Sequence, residues 1–282
     1  MSAQGEERER TLILDYFGKE ARICVLRRAA AFGAPVFVVD FDRGPKHFRT
    51  LSSFGAQGQV TEQSSMDLLY PARLVFHYER LMALAFALSE KSESALLLGV
   101  GGAAMWRFMQ AYLPDCAPTL VESDATILAL ARRWFYLKAP AVHATAESFL
   151  AESAERYDAI LVDIYNASGP AHEGPRFWAR SLDALQKGGC LANNWADFAT
   201  NRAVRPLARM LEEAAAERGF RSFYVTRRGL GDNLVQYVTA SPVANIAALA
   251  SSLDAFARRR HLPDRGRGIL EGCVMTTDFP AG

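Results

Sequence analysis

Hydrophobic and polar positions change their rhythm along the chain, and the changes divide it. Between Arg10 and about Ser53 the runs TLILDYF, ARICVLRR, PVFVVDF and KHFRTLS are short and rich in Val, Ile, Leu, Phe and Thr. Gly18, the Gly33-Ala34-Pro35 group and Arg43-Gly44-Pro45 separate them as hairpin turns do. The pattern predicts a small antiparallel sheet, then a polar loop over 55–63. Over 67–88, Leu74, Tyr78, Met82, Ala85 and Leu88 recur at three-to-four spacing, which predicts a helix.

Beyond Ser89 strand and helix patterns alternate. Strands are expected at 95–100, 118–123, 140–145, 157–163 and 188–195, with helices at 103–113, 125–136, 147–154, 175–186 and 201–218. The strands are nearly continuous apolar runs, as in a sheet covered on both faces. FRSFYVTRR and NLVQYVTA read as an antiparallel hairpin closing the sheet edge. The predicted class is α/β: a Rossmann-like, doubly wound, mostly parallel sheet over 66–282, preceded by a small antiparallel β domain over 1–65.

Composition sharpens this only a little. Half of the 282 residues are hydrophobic and 22% are charged, with a net charge of +1. That describes a globular chain with no basic surface for nucleic acid. The local cluster Arg258, Arg259, Arg260, Arg265 and Arg267 reads as a solvated helix end and loop. No apolar run reaches the ~18 residues of a membrane span. MSAQGEERER lacks the apolar core of a signal peptide, so a cytoplasmic location without membrane partners is expected. Cys24, Cys116, Cys190 and Cys273 lie far apart, most of them in apolar surroundings, and read as small buried thiols. The five histidines show no HxxxH spacing, and no metal site is expected. His143 reads as structural. His172, after the loop GPA, is a weaker substrate candidate. For Trp195 and Phe198, core packing outweighs a substrate wall.

Three features carry chemistry. In LLLGVGGAA a strand runs into Gly99, Gly101 and Gly102 before a helix begins, where bare backbone turns tightly and approaches a ligand. The next strand ends in Glu122, 23 residues after Gly99, with Ser123 adjoining. An acid there can accept the hydroxyls of a ribose, whereas Asp124 suits the cap of the following helix. Spacing alone does not separate NAD from S-adenosylmethionine. The run YDAILVDIYNASGPA delivers Asp163 to the carboxyl end of a buried strand and follows it with a lid-like loop.

LLLGVGG, VESD, YDAILVD with GPA, LQKGGCLANN, the small sheet before them and the ending MTTDFP together resemble the spermidine synthase family of aminopropyltransferases. That family is a branch of the class I methyltransferase fold. The resemblance implies a sulfonium co-substrate, decarboxylated S-adenosylmethionine or S-adenosylmethionine, and a small-molecule amine acceptor. It places Gly99, Gly101 and Gly102 against the co-substrate, Glu122 on the ribose, and Asp163 as acceptor of the amine proton. Tyr78 and Gln63 face the reaction site in this reading, although His77-Tyr78-Glu79 stands where the family often has Tyr-His-Glu. Family members commonly form dimers or tetramers, so a homodimer or homotetramer is implied.

The chain departs from the family pattern at several positions. Gly102 stands where a loop Asp usually grips the donor amine, and Asn166 where a second loop acid is usual. Ala146 replaces the adenine-binding Asp, with Glu147 one residue away as a substitute. Arg227-Arg228 lies near the acceptor pocket. One explanation is an intact S-adenosylmethionine donor or an anionic acceptor held by Arg228. The other is that Asp197, Glu173 or Glu79 supplies the lost charges. Two further functions compete with aminopropyl transfer: a small-molecule methyltransferase and a non-catalytic nucleoside-binding homologue. NAD-dependent oxidoreduction ranks below them.

Overall fold

The computed structural model describes residues 3–31, 34–55, 58–166, 169–170, 174–227, 233–263 and 266–280. The chain opens with helix α1 (Ala3–Phe17) and strands β1 (Arg22–Ala31), β2 (Ala34–Arg43), β3 (Lys46–Phe54) and β4 (Val60–Asp67). The four strands form an antiparallel sheet in sequence order. Val36 to Val39 of β2 are all buried, because the sheet is covered on both faces. Ile13 and Phe17 of α1 pack with Phe37, Val39, Phe41 and Phe48 on one side. Val36, Val38, Leu51 and Met66 pack with Ile127, Leu130 and Phe135 on the other.

Three sequence expectations change here. TLILDYF is helical rather than extended: Ile13 and Phe17 lie four apart on one helix face, and the preceding Glu and Arg residues favour helix. The polar stretch over 55–63 is a loop only in part, since β4 begins at Val60 and runs to Asp67. The helix over 67–88 starts late. Asp67 Oδ1 accepts the backbone N–H of Leu69 at 2.9 Å and of Tyr70 at 3.2 Å, closing an Asx turn ahead of Pro71. Only α2 (His77–Met82) and α3 (Leu84–Leu88) are helical.

The second part contains β5 (Ser94–Leu98), α4 (Ala104–Tyr112), β6 (Ala117–Glu122), α5 (Ala125–Trp134), β7 (Val142–His143), α6 (Ala146–Glu152) and β8 (Tyr157–Val162). A two-stranded ribbon of β9 (Tyr165–Asn166) and β10 (Gly169–Pro170) follows. Then come α7 (Gly174–Asp183), β11 (Leu185–Trp195), α8 (Val204–Glu217), β12 (Arg221–Arg227), β13 (Leu234–Thr239), α9 (Ile246–Arg260), α10 (Gly266–Leu270) and β14 (Cys273–Thr276). The main sheet has the order β14-β12-β13-β11-β8-β5-β6-β7. The strands from β11 to β7 are parallel; β13, β12 and β14 are joined antiparallel. The fold is therefore α/β with a mostly parallel sheet and a separate antiparallel one. The β12–β13 hairpin does not close the edge as expected, because β14 pairs outside β12. The expected strand over 140–145 shrinks to the two residues of β7.

Both faces of the main sheet are buried, which explains its uninterrupted apolar runs. Leu97, Leu120, Leu161, Ala192 and Tyr237 share one core with α9 and α10. Leu96, Leu98, Val121, Ile160, Val162 and Leu191 share the other with α7 and α8. Trp195 packs into the latter, edge-on to Trp178, as the core reading expects. Cys116 and Cys190 are buried, while Cys24 and Cys273 are half-buried. No helix among the described residues is long and apolar enough to cross a membrane. The chain reverses its winding direction between β5 and β8, and open α/β sheets bind ligands at the carboxyl ends of strands at such a point.

Candidate active site

At that switch point lies a cavity of about 500 Å³, walled on one side by β3 and β4 and on the other by the carboxyl ends of β5, β6, β8 and β11. Gly99, Gly101, Glu122, Asp163, Tyr78, Glu79, Gln63 and Asp197 all border it. Sequence reasoning had singled out each of these eight.

The glycine turn is shaped by close approach. A Cβ on Gly99, whose φ is +92°, would stand 2.2 Å from the carbonyl oxygen of Asp163. Gly101 has φ +50° and open space around it. Ala103 is left-handed too, at φ +56°, where the chain enters α4. Arg107 of α4 holds this turn from behind. Its buried guanidinium donates to the carbonyls of Pro71 at 2.7 Å, Phe135 at 2.9 Å and Gly102. Burial lowers its pKa to about 10.

Glu122 is 4% exposed. Its Oε2 accepts the N–H of Val100 at 3.0 Å and of Gly101 at 3.3 Å, and its Oε1 accepts that of Asp124 at 3.1 Å. Burial raises its pKa and these three amides oppose the rise. A carboxylate offers about four lone-pair sites, so capacity remains for a ligand hydroxyl. Asp124 caps α5, accepting from Thr126 at 2.7 Å and Ile127 at 3.2 Å, an arrangement worth about 1 kcal/mol.

Asp163 follows β8 directly, its N–H donating to Leu98 at 2.9 Å. Asn194 Nδ2 donates to its Oδ1 at 2.9 Å, and the Tyr78 hydroxyl acts on its carboxylate as well, lowering its pKa. Burial raises the Asp163 pKa, while both groups pull it back by stabilising the ionised form. Tyr78 is thus the aromatic residue of α2 that reaches Asp163. His77 turns away, its Nε2 lying 2.8 Å from the Ile269 carbonyl. Glu79 is 5% exposed, accepts the Phe76 N–H at 3.0 Å, and has its pKa raised by burial to about 7. The Tyr165 hydroxyl donates to the Asn194 carbonyl and accepts the Ala196 N–H, tying β9 to the end of β11.

The β4 wall is polar. Gln63 Nε2 donates to Ser53 Oγ at 3.0 Å. Glu62 receives the Tyr16 hydroxyl at 3.3 Å and pairs with Arg43 at 3.8 Å. Burial raises its pKa as well.

Other sequence candidates stand elsewhere. Gly102 is buried behind the turn, against Ser64. Ser123 is exposed and does not border the cavity; its carbonyl lies 3.1 Å from Nε2 of His143. Glu147, in the first turn of α6, is also outside the lining, and its Oε1 is buried without a hydrogen-bond partner. Asn166 belongs to β9, its side chain lying outside the described residues, as do His172, Glu173 and Arg228. Glu62, Ser64, Tyr165, Asn194 and Asn233 border the cavity without having been assigned a role from sequence. Only Asn194 left a signal, as one of the two asparagines near the end of β11.

The lining carries five carboxyl groups, those of Glu62, Glu79, Glu122, Asp163 and Asp197. No lysine or arginine borders the cavity among the described residues. On the two explanations offered from sequence, the described lining contains two of the replacement acids, Glu79 and Asp197, together with Glu62, while Glu173 and Arg228 lie outside the described residues. Among the described residues no group of three or more His, Cys, Asp or Glu side chains is placed to hold a metal ion.

No family model matches the chain. A polyamine aminopropyltransferase of Chromobacterium violaceum is 31% identical over 145 residues, which are 49% of this chain and 56% of that one. The chain thus spans little more than half the length of the curated relatives it matches. A probable spermidine synthase of Corynebacterium glutamicum superposes with a TM-score of 0.62 at 19% identity, covering 78% of this chain and 84% of that one. A spermidine synthase in complex with the transition-state analogue AdoDATO gives 0.64 at 13% identity, covering 92% and 85%. With its eight-stranded sheet, separate β sheet and cavity between them, the chain has a spermidine-synthase-like class I methyltransferase fold.

Proposed function

We propose that the protein is an aminopropyltransferase that moves the aminopropyl group of decarboxylated S-adenosylmethionine to a small-molecule amine. One observation carries this reading: five carboxyl groups and no described cation line a single cavity. Such a cavity favours a polycationic pair of reactants and disfavours the carboxylate of intact S-adenosylmethionine. Bare backbone at Gly99 and Gly101, with Glu122 behind it, suits a nucleoside. The names of the partial sequence relative and of the structural neighbours point the same way.

The sulfonium supplies the leaving group. An uncharged amine nitrogen attacks the carbon beside sulfur, the carbon–sulfur bond breaks toward sulfur as a thioether, and the new ammonium gives its proton to Asp163. Asn194 fixes that carboxylate, and positioning two reactants in one cavity provides much of the acceleration.

The test is incubation with each donor against a panel of amines, read by mass spectrometry, beside calorimetry of donor binding. Aminopropylated product and tighter binding of the decarboxylated donor are expected. Methylated product with intact S-adenosylmethionine would replace this reading with the methyltransferase one. The same preparations, sized by light scattering, test the implied homodimer or homotetramer.

A further inference from the structure

Asn194 stands between two groups. Its Nδ2 donates to Asp163 Oδ1 at 2.9 Å, and its Oδ1 accepts from Asn233 Nδ2 at 2.9 Å. The orientation follows from donor and acceptor inventory. An ionised carboxylate only accepts, so Asn194 must face it with nitrogen, and the oxygen left over must meet a donor. Asn233, just ahead of β13, supplies that donor. Asn194 is 2% exposed, so an amide turned the wrong way finds little water to satisfy it.

We propose that Asn233 is a positioning residue for Asp163: by donating to Asn194 it locks that amide with its nitrogen on the carboxylate, which keeps Asp163 ionised and fixed in direction. The catalytic consequence rests on Asp163 accepting the amine proton; the effect on its titration does not. The titratable groups that act on Asp163 are Tyr78 and Glu79 of α2 and Tyr165 of β9, and Asp197 beyond β11 and Glu122 at the end of β6 border the same cavity. None of them replaces the Asn194 donor.

Asn233→Asp conserves shape but accepts where asparagine donates, leaving Asn194 between two acceptors. Asn233→Ala removes the donor and adds no charge. Carbon-13 NMR titration of the Asp163 carboxyl, assigned by its loss in Asp163→Asn, reads the result directly. The expected outcome is a midpoint raised by about one pH unit in Asn233→Asp and by a smaller amount in Asn233→Ala. Turnover at pH 7 falls by about tenfold or more in the former, its acid limb moves upward, and donor KM stays within about threefold. Unchanged midpoints, or a shift in Asn233→Asp alone, overturn the proposal, the latter because it reports only the added charge. Should Asn233→Asp not fold, the alanine variant carries the test. Failure of the aminopropyltransferase reading looks different: no product with any donor, or an active Asp163→Asn, while the midpoints still move.

Discussion

A Cβ placed on Gly102 would stand 2.6 Å from Oγ of Ser64 and 2.7 Å from its Cβ. The antiparallel sheet therefore occupies the space into which the glycine turn would project a side chain. Phe135 closes the other side at 3.2 Å. Gly102→Asp is expected to destabilise the protein by about 1–3 kcal/mol through overpacking. Ser64→Gly in the same chain should recover part of that loss. Thermal melts of the two single variants and the double variant measure the coupling, and strict additivity would rule out the contact as the cause.

Gly99 and Gly101 should respond differently to alanine. At Gly99 the new methyl meets the backbone of Asp163, so either the turn or Asp163 must move. At Gly101 nothing stands within 4 Å, and only the left-handed backbone resists. Gly101→Ala is expected to cost about 1 kcal/mol. Gly99→Ala should cost about 3 kcal/mol or more and abolish turnover. Urea unfolding of both variants checks the order.

Asp163→Asn retains the size of the side chain and removes the proposed base. Turnover should fall by about 10²–10⁴-fold while affinity for a nucleoside thioether stays within about threefold. Mass-spectrometric rates and calorimetry separate the two effects. An unimpaired rate excludes Asp163 as proton acceptor.

Glu79 makes stability depend on pH in a sense unusual for a carboxyl group. Its folded pKa, about 7, lies above the ordinary 4.5, so the folded state holds the proton more tightly than the unfolded chain. Its favourable contribution is complete below 4.5, declines as pH rises, and is gone above about 7. Glu79→Gln removes this dependence and can still accept from Phe76. Relative to the native protein, the variant should gain on the order of 3 kcal/mol between pH 4.5 and pH 7.5, and no more beyond. Chemical denaturation at a series of pH values measures it; a difference that is flat with pH would show that Glu79 titrates normally.

The parallel sheet was legible because its strands obey one simple rule. Covered on both faces, they become continuous apolar runs that end where a ligand begins. Gly99, Glu122 and Asp163 stand at three such ends and were found for that reason. Strand β4 obeys no such rule. Thr61, Glu62 and Gln63 meet the cavity instead of a core, so the strand looks like a polar loop. α1 misled in the opposite way: its apolar TLILDYF run resembles the strands beside it, and the four-residue spacing of Ile13 and Phe17 is only one helical turn.

Sequence by itself determined the alternating α/β architecture, the glycine turn and the acids at the strand ends, since each depends on local periodicity and on neighbours close along the chain. Tertiary structure alone decided how charge is distributed in the site. Glu62, Glu79 and Asp197 come from three separate segments, and Ser64 reaches Gly102 across 38 positions. Electrostatics and steric exclusion act through space, so the loss of an acid at one position cannot be judged until the fold shows which others have come to surround it.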